Sequence, residues 1–364
     1  MFSPSGGKVN TSLTEISDMF NALEALEFGD LHFKYDPDTQ LKAIIAIHDT
    51  SLGPALGGCR FIEYPNSDSA IIDAMRLARG MSYKAAISDL DHGGGKSVII
   101  QPPEIKDRRA LFEAFGRFVE ELGGRYITAK DSGTTLEDMD IIATQTQYVA
   151  STSDMKQPNS DPSPYTSLGV LRGIEAAVKF KLGRDNLEGV HVAIQGVGHV
   201  GHHLAQELHM KGAKLTVCDT VEEHVQRCVD DFVATPVNNE EIFAVDCDVF
   251  APCALGAIIN DKTIAQLKAD IVCGSSNNQL AEQRHGRELQ EKGILYAPDY
   301  LVNSGGLIHA VGRYDGIPDE VSDQKILNIY DGCLEIFERA KTAGEATCDI
   351  IDTIAKERLY RKNA

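Results

Sequence analysis

Val190–Asp219 reads VHVAIQGVGHVGHHLAQELHMKGAKLTVCD. An apolar run of strand type ends at Gln195, glycines follow at 196, 198 and 201, and an amphipathic stretch closes at Gly212. A second apolar run then ends in an acid, Asp219. In Gly196-Val197-Gly198-His199-Val200-Gly201, the first glycine allows a tight turn and the second lets backbone N–H groups approach a pyrophosphate. The third allows close packing of helix on strand, and the helix N-terminus favours the phosphate charge. Asp219, at the end of the next strand, is placed to accept hydrogen bonds from ribose hydroxyls and to repel a 2′-phosphate. The expected ligand is therefore NAD rather than NADP.

Downstream, CDVFAP, DIVCGSS and GILYAP continue an alternation of short apolar strands with helical segments. Repeated strand–helix units imply a doubly wound parallel sheet. Upstream, a helix is expected from about Leu168 to Lys181, after a Pro-, Ser- and Asp-rich crossing over 152–167. Before that crossing, LHFKYDPDTQLKAIIAIH reads as an antiparallel strand pair, and residues 67–88 as a long helix kinked or ended at Gly80. KSVIIQ is a strand, Arg109–Leu122 a helix, and GRYITAKDSGTT a strand ending at Asp131. Ser12–Glu15 has a capping-box pattern, and the residues before it read as a disordered lead-in. The expectation is an α/β chain of two domains. A mixed-sheet substrate and oligomerisation domain spans 1–151, and a Rossmann-like NAD domain 152–331. Charged helices over about 332–364 fold back on the first domain.

Bulk properties narrow the function. The 364 residues carry a net charge of −19, which disfavours nucleic acid and anionic membrane surfaces as partners. No apolar run reaches membrane-spanning length, and the first residues lack a secretory pattern. The eight cysteines show no CxxC pair or zinc-finger spacing, so buried free thiols in a reducing cytoplasm are expected, and no metal.

The stretch DLDHGGGKSVII, Asp89–Ile100, poses a separate problem. Gly93, Gly94 and Gly95 remove side chains around Lys96. If Lys84 lies nearby, its charge and desolvation both disfavour the ammonium form of Lys96, the route by which a lysine becomes a base. Asp131 can shuttle a proton. His92 reads first as a solvated loop histidine, with contact to substrate the alternative.

Together, LKAIIAIHDTSLGPALGGCRF, MSYKAAISDLDHGGGKSVII, GGRYITAKDSGTTLEDMD, PSPYTSLGV, GVGHVG, APCALGA, SSNNQL and YAPDYLVNSGGLI resemble the Glu/Leu/Phe/Val amino-acid dehydrogenase family, most closely its leucine-specific branch. The resemblance spans residues 28–310 in unbroken order. It implies that Lys84 pairs with the substrate α-carboxylate, that Lys96 is the catalytic lysine, and that Asp131 moves protons at the amino group. It places Gly57 and Gly58 against the substrate, and Asn277 and Asn278 beside substrate and nicotinamide ribose. Thr166 falls near the nicotinamide carboxamide, and Asn303 precedes the segment lining the side-chain pocket.

Leu56 stands where glutamate-specific members have a lysine, and Ala310 where they have a hydroxyl residue. An apolar pocket of Leu56, Ala129, Leu307 and Ala310 would leave a distal carboxylate unpartnered, so branched aliphatic substrates are expected. The implied reaction is reversible, NAD-dependent oxidative deamination of leucine, valine or isoleucine to a 2-oxo acid and ammonia. The glycines would clear room beside Lys96 for water and substrate. An aromatic (phenylalanine or tryptophan) dehydrogenase and a non-catalytic NAD(H) sensor are the competing readings. Family members form dimers or octamers, so a homo-oligomer is expected.

Overall fold

A computed structural model describes residues 19–25, 28–153, 161–254 and 256–360. The Ser12–Glu15 capping box, the lead-in and residues 154–160 of the crossing lie outside the described residues. The described residues form two compact units, one up to residue 86 with 91–153, the other comprising 87–90 with 161–358; residues 359–360 group with the first.

In the first unit, α1 (Met19–Ala25) precedes the hairpin β1 (Asp30–Asp36) and β2 (Leu41–Asp49), paired in antiparallel register through Asp36↔Leu41. Asp36 Oδ1 accepts from Asp38 N at 3.0 Å, and Gln40 takes the left-handed conformation (φ 61°) that closes the turn. Then follow β3 (Ala55–Ile62), α2 (Ser67–Ile87), β4 (Gly93–Ile100), α3 (Arg108–Glu121), β5 (Tyr126–Lys130) and α4 (Leu136–Ala143). The sheet order is β1-β2-β4-β3-β5, with β3 parallel to both β4 and β5.

Alternation along the strands builds two cores. Ile45, Ile47, Phe61 and Ile99 face Phe112 and Phe115 of α3, while Ile44, Ala46 and Val98 face Ala74, Met75 and Ala78 of α2. α2 runs through Gly80 rather than ending there. α4 starts at a capping box, Thr135 Oγ1 accepting from Asp138 N while Asp138 accepts from Thr135 N. Arg108 forks onto the buried Asp138 carboxylate, with contacts of 2.8 and 2.7 Å.

The second unit opens with α5 (Ser163–Leu182), which begins five residues before the expected start. Pro164 fits the first turn, where its missing N–H is no loss, and Asp161 Oδ1 accepts from Ser163 N at 2.9 Å. Next come β6 (His191–Gln195), α6 (His199–Met210), β7 (Lys214–Cys218), α7 (Glu222–Phe232), β8 (Thr235–Pro236), β9 (Val249–Pro252), α8 (Asp261–Ile264), β10 (Ile271–Val272), α9 (Gln283–Glu291) and β11 (Leu295–Tyr296). The sheet runs β11-β10-β9-β6-β7-β8 and every pair is parallel. Renumbered within the unit this is 6-5-4-1-2-3, the Rossmann order, whose direction reverses beside β6.

The remaining helices are α10 (Asp299–Val302), α11 (Gly305–Tyr314), α12 (Asp319–Leu327), α13 (Ile329–Ala343) and α14 (Thr347–Tyr360). The expectation that the tail joins the first domain is corrected here, since the helices group with the second unit as far as Arg358. Phe337 of α13 packs on Phe180 of α5, ring centroids 5.4 Å apart. Arg287 of α9 pairs with Asp349 of α14 at 2.8 Å, and Thr347 donates to Tyr296 O at 2.7 Å. Apolar faces, rather than the charges on the opposite faces, decide where these helices dock. No described helix is long and apolar enough to cross a membrane.

Candidate active site and cofactor site

Within the first unit, Lys96 of β4 is buried, and its Nζ lies 2.5 Å from Asp131 Oδ2, just past the end of β5. A buried ammonium survives only with a charged partner, and this carboxylate supplies it. β3 lies between β4 and β5, and Gly58 is what lets the side chains meet across it. A methyl group at Gly58 would come within 2.7 Å of Asp131 Cβ. The same oxygen of Asp131 also takes Arg60 Nε at 3.3 Å.

Burial pushes the Asp131 carboxyl up, but the charge and hydrogen bond of Lys96, with the charge of Arg60, outweigh it and hold the carboxyl below its ordinary value. The loop after it is fixed by Thr134, whose Oγ1 accepts from Asp131 N at 2.9 Å, and by Gly133 in the left-handed region (φ 81°).

The glycine run has a different purpose from the one expected. A methyl group would meet Asp49 O within 2.0 Å at Gly93, Ser82 N within 2.0 Å at Gly94, and the Tyr126 ring within 2.8 Å at Gly95. The space they leave is filled by the chain's own backbone and by Tyr126, not kept for water or substrate. α2 presses directly on Gly94, which brings the last turn of α2, with Lys84, close to β4. Gly57 is similarly closed over by Gly95 O (1.7 Å from a methyl group there), and Tyr126 donates to Gly57 O at 2.7 Å. Leu56 is buried and Ala129 half-buried, both on neighbouring strands. His92 is buried with Nδ1 3.3 Å from Pro54 O, so the solvated reading is corrected.

In the second unit the three glycines of the first motif differ in geometry. Gly196 has φ 89°, and Gly201 lies so close to Gly196 O that a methyl group would approach within 2.0 Å. At Gly198 a methyl group would meet nothing within 4 Å, so that side of the turn is open. Gly198 is also the N-cap of α6 and offers no side chain to the first-turn N–H groups, which leaves them for an anion. His199 and Val200 form that first turn. Asp219 accepts from Val197 N at 2.8 Å and Val221 N at 2.9 Å. Burial raises its carboxyl pKa, but these N–H groups and His224 hold it below the ordinary value, so it is an anion throughout the neutral range. These residues fit a dinucleotide with a free ribose 2′-hydroxyl. Replacing Asp219 by Ser is expected to weaken NADH binding roughly 10- to 100-fold, the worth of charge-assisted hydrogen bonds. Fluorescence titration should show NADPH affected far less.

Asn277 and Asn278 are exposed, Asn278 in the left-handed region (φ 51°). Asn303 Nδ2 donates to Asn277 Oδ1 at 2.9 Å and to Ser275 O at 3.2 Å. The sequence reading missed the support beneath them. Buried Gln279 donates to Gly274 O at 2.7 Å and to Ser276 O at 3.1 Å, and its N–H to Asp299 Oδ2 at 3.2 Å. The neighbouring Gln in SSNNQL was the available signal. Gly305 and Gly306 bring α11 onto the first turn of α5, where methyl groups would meet Tyr165 O within 1.9 Å and Thr166 Oγ1 within 2.5 Å. His309 stacks on Tyr165 with centroids 3.6 Å apart. Leu307 and Ala310, one turn apart on α11, are both half-buried, whereas Ile308, His309 and Val311 are buried.

Burial pushes all eight cysteine thiols up, Cys59 and Cys218 to about 12, as expected of structural thiols. Asp261, His285 and Glu288 come within 4.8 Å of one another, but Arg284 lies between the two carboxylates at 2.7 Å from each and already supplies the positive charge.

Comparison with known proteins agrees with this geometry. Residues 30–148 match the Glu/Leu/Phe/Val dehydrogenase dimerisation domain, and residues 217–312 the glutamate/leucine/phenylalanine/valine dehydrogenase domain. A leucine dehydrogenase of Thermoactinomyces intermedius is 50% identical over 341 residues, covering 94% of this chain and 93% of its own. A phenylalanine dehydrogenase of Bacillus thermotolerans is 41% identical over 96% of this chain and 93% of its own. The crystal structure of L-tryptophan dehydrogenase from Nostoc punctiforme superposes with a TM-score of 0.86 at 42% identity, covering 95% of this chain and all of that one. With its two matched domains and these relatives, the chain belongs to the Glu/Leu/Phe/Val dehydrogenase family.

Proposed function

We propose that this amino-acid dehydrogenase oxidatively deaminates branched-chain L-amino acids, leucine, valine and isoleucine, to 2-oxo acids and ammonia, with Lys96 and Asp131 as its catalytic pair. The observation that carries the reading is the 2.5 Å contact between Lys96 Nζ and Asp131 Oδ2 on a sheet face that Gly58 opens. A proton can cross that distance without an intervening water. NAD is the cofactor, and when bound it takes the hydride from the substrate Cα.

Lys84 pairs with the substrate carboxylate and orients the amino group. Lys96 removes a proton from the water that attacks the imine carbon. Asp131, charged and held between two cations, takes and returns the protons on nitrogen as the carbinolamine loses ammonia. Asp219 and the N–H groups at the start of α6 bind the dinucleotide. Asn277, Asn278, Asn303 and Thr166 hold its nicotinamide end and the substrate.

Apolar Leu56, Ala129, Leu307 and Ala310 support the aliphatic preference, because none can pair with a second substrate carboxylate. The small side chain of Ala310 favours the aromatic alternative, as does likeness to the phenylalanine and tryptophan dehydrogenases. Initial rates of NADH formation across leucine, valine, isoleucine, phenylalanine, tryptophan and glutamate decide the matter. The expected order of kcat/KM places the branched aliphatics first and glutamate last; an aromatic maximum would overturn the specificity and keep the chemistry. The dimerisation domain matched by residues 30–148 supports assembly of copies, tested by light scattering.

A further inference from the structure

We propose that Arg60 is a positioning residue of the reaction, clamping the Asp131 carboxylate opposite Lys96 through its own tether to Asp73 and Tyr64. The proposal rests on the catalytic reading of Lys96 and Asp131 above.

Four side chains from β3, β4, α2 and the end of β5 form one charged cluster, which a fifth closes. Asp131 Oδ2 receives Lys96 Nζ at 2.5 Å and Arg60 Nε at 3.3 Å. The far side of the guanidinium, Arg60 Nη1, lies 2.8 Å from Asp73 Oδ2 on α2. That same oxygen accepts from Tyr64 OH at 2.5 Å. Buried Cys59 and Tyr126 also feel the Asp131 charge, but bring none of their own at neutral pH, since burial pushes both upward. Charges therefore alternate: Lys96, Asp131, Arg60, Asp73.

This alternation answers a problem set by the mechanism. A base must spend part of each cycle without its proton, and during that time Lys96 no longer balances Asp131. A partly buried carboxylate left without a cation either picks up a proton or turns away. Arg60 cannot lose its own proton in this range, so it supplies a permanent countercharge. Asp73 and Tyr64 hold the guanidinium in the plane where Nε points at Asp131. The cluster is a scaffold, not a proton wire, because the guanidinium does not relay protons.

The test compares pH profiles of kcat/KM for L-leucine oxidation in the holoenzyme carrying Arg60→Met, Arg60→Lys or Asp73→Asn. Arg60→Met is expected to lower kcat roughly tenfold or more and to move the acid limb upward by about one pH unit, the effect of removing a neighbouring opposite charge. The Kd for NADH, read by fluorescence, should stay within about threefold, the scale of an indirect effect. Arg60→Lys should restore most of the acid limb, and Asp73→Asn should lower kcat with a smaller shift. Should Arg60→Met fail to fold, Arg60→Lys and Asp73→Asn carry the test alone. Wild-type pH profiles and kcat in the folded variants, with only the melting temperature lowered, would overturn the proposal. Lys96→Met and Asp131→Asn run alongside separate the two possible failures. If those two retain activity, the catalytic reading falls and takes this one with it. If they lose activity while the Arg60 and Asp73 variants behave as wild type, the clamp alone is refuted.

Discussion

Replacing Lys96 by Met lowers kcat/KM for amino-acid oxidation by about 10²- to 10⁴-fold, the contribution of a positioned base. NADH affinity should stay unchanged, because Lys96 belongs to the first unit and the dinucleotide residues to the second. The substitution nearly conserves volume and leaves Asp131 still bonded to Arg60. Met is apolar, so a buried position accepts it, and the fold should persist. Activity loss with intact NADH binding and an unchanged circular dichroism spectrum is the signature. A variant retaining more than about a tenth of wild-type kcat/KM would remove Lys96 from the chemistry, since a base contributes far more.

Gly94→Ala is expected to have the largest effect on stability of any methyl addition at Gly93–Gly95, because it alone meets three helix atoms at once. The new Cβ would lie 2.0 Å from Ser82 N, 2.3 Å from Ser82 Oγ and 2.5 Å from Ala78 O. Two of those three atoms are helix backbone and cannot swing aside, so α2 must lift from β4. Overpacking of this kind costs about 3 kcal/mol or more, enough to lower the melting temperature by at least about 6 °C. Gly80→Ala on the same helix is the control, because a methyl group there meets nothing within 4 Å. It should raise stability by about 0.5–1 kcal/mol through the helix preference for alanine. Equal melting temperatures for the two variants would contradict the packing account of the glycine run.

The second unit was legible because its signals are local. Gly196, Gly198, Gly201 and Asp219 lie within one strand–turn–helix–strand unit, so spacing alone fixes their placement. The parallel Rossmann order followed from strand–helix alternation, although β8 (Thr235–Pro236) is too short to leave an apolar run. The first unit was less readable because its sheet order is not sequential. β3 escaped notice since Gly57 and Gly58 dilute its β propensity, yet it is the strand between Lys96 and Asp131. Without β3, the glycines beside Lys96 looked like cleared space, and nothing singled out Arg60. Lys96 and Asp131 themselves stand out in the sequence as charges at element boundaries. Their direct pairing depends on long-range register, which spacing does not encode. The C-terminal helices were recognised but misassigned, because periodicity identifies an apolar face without naming what it packs against.

The central claim, that this chain couples hydride removal to hydrolytic loss of an amino group, is tested most directly by stoichiometry. Protein, NAD and L-leucine are incubated, and NADH, the 2-oxo acid and ammonia are each quantified. The account predicts equal molar amounts of the three, with all three abolished together in Asp131→Asn. NADH without matching ammonia, or no NADH from any L-amino acid in folded protein that binds NADH, would contradict it.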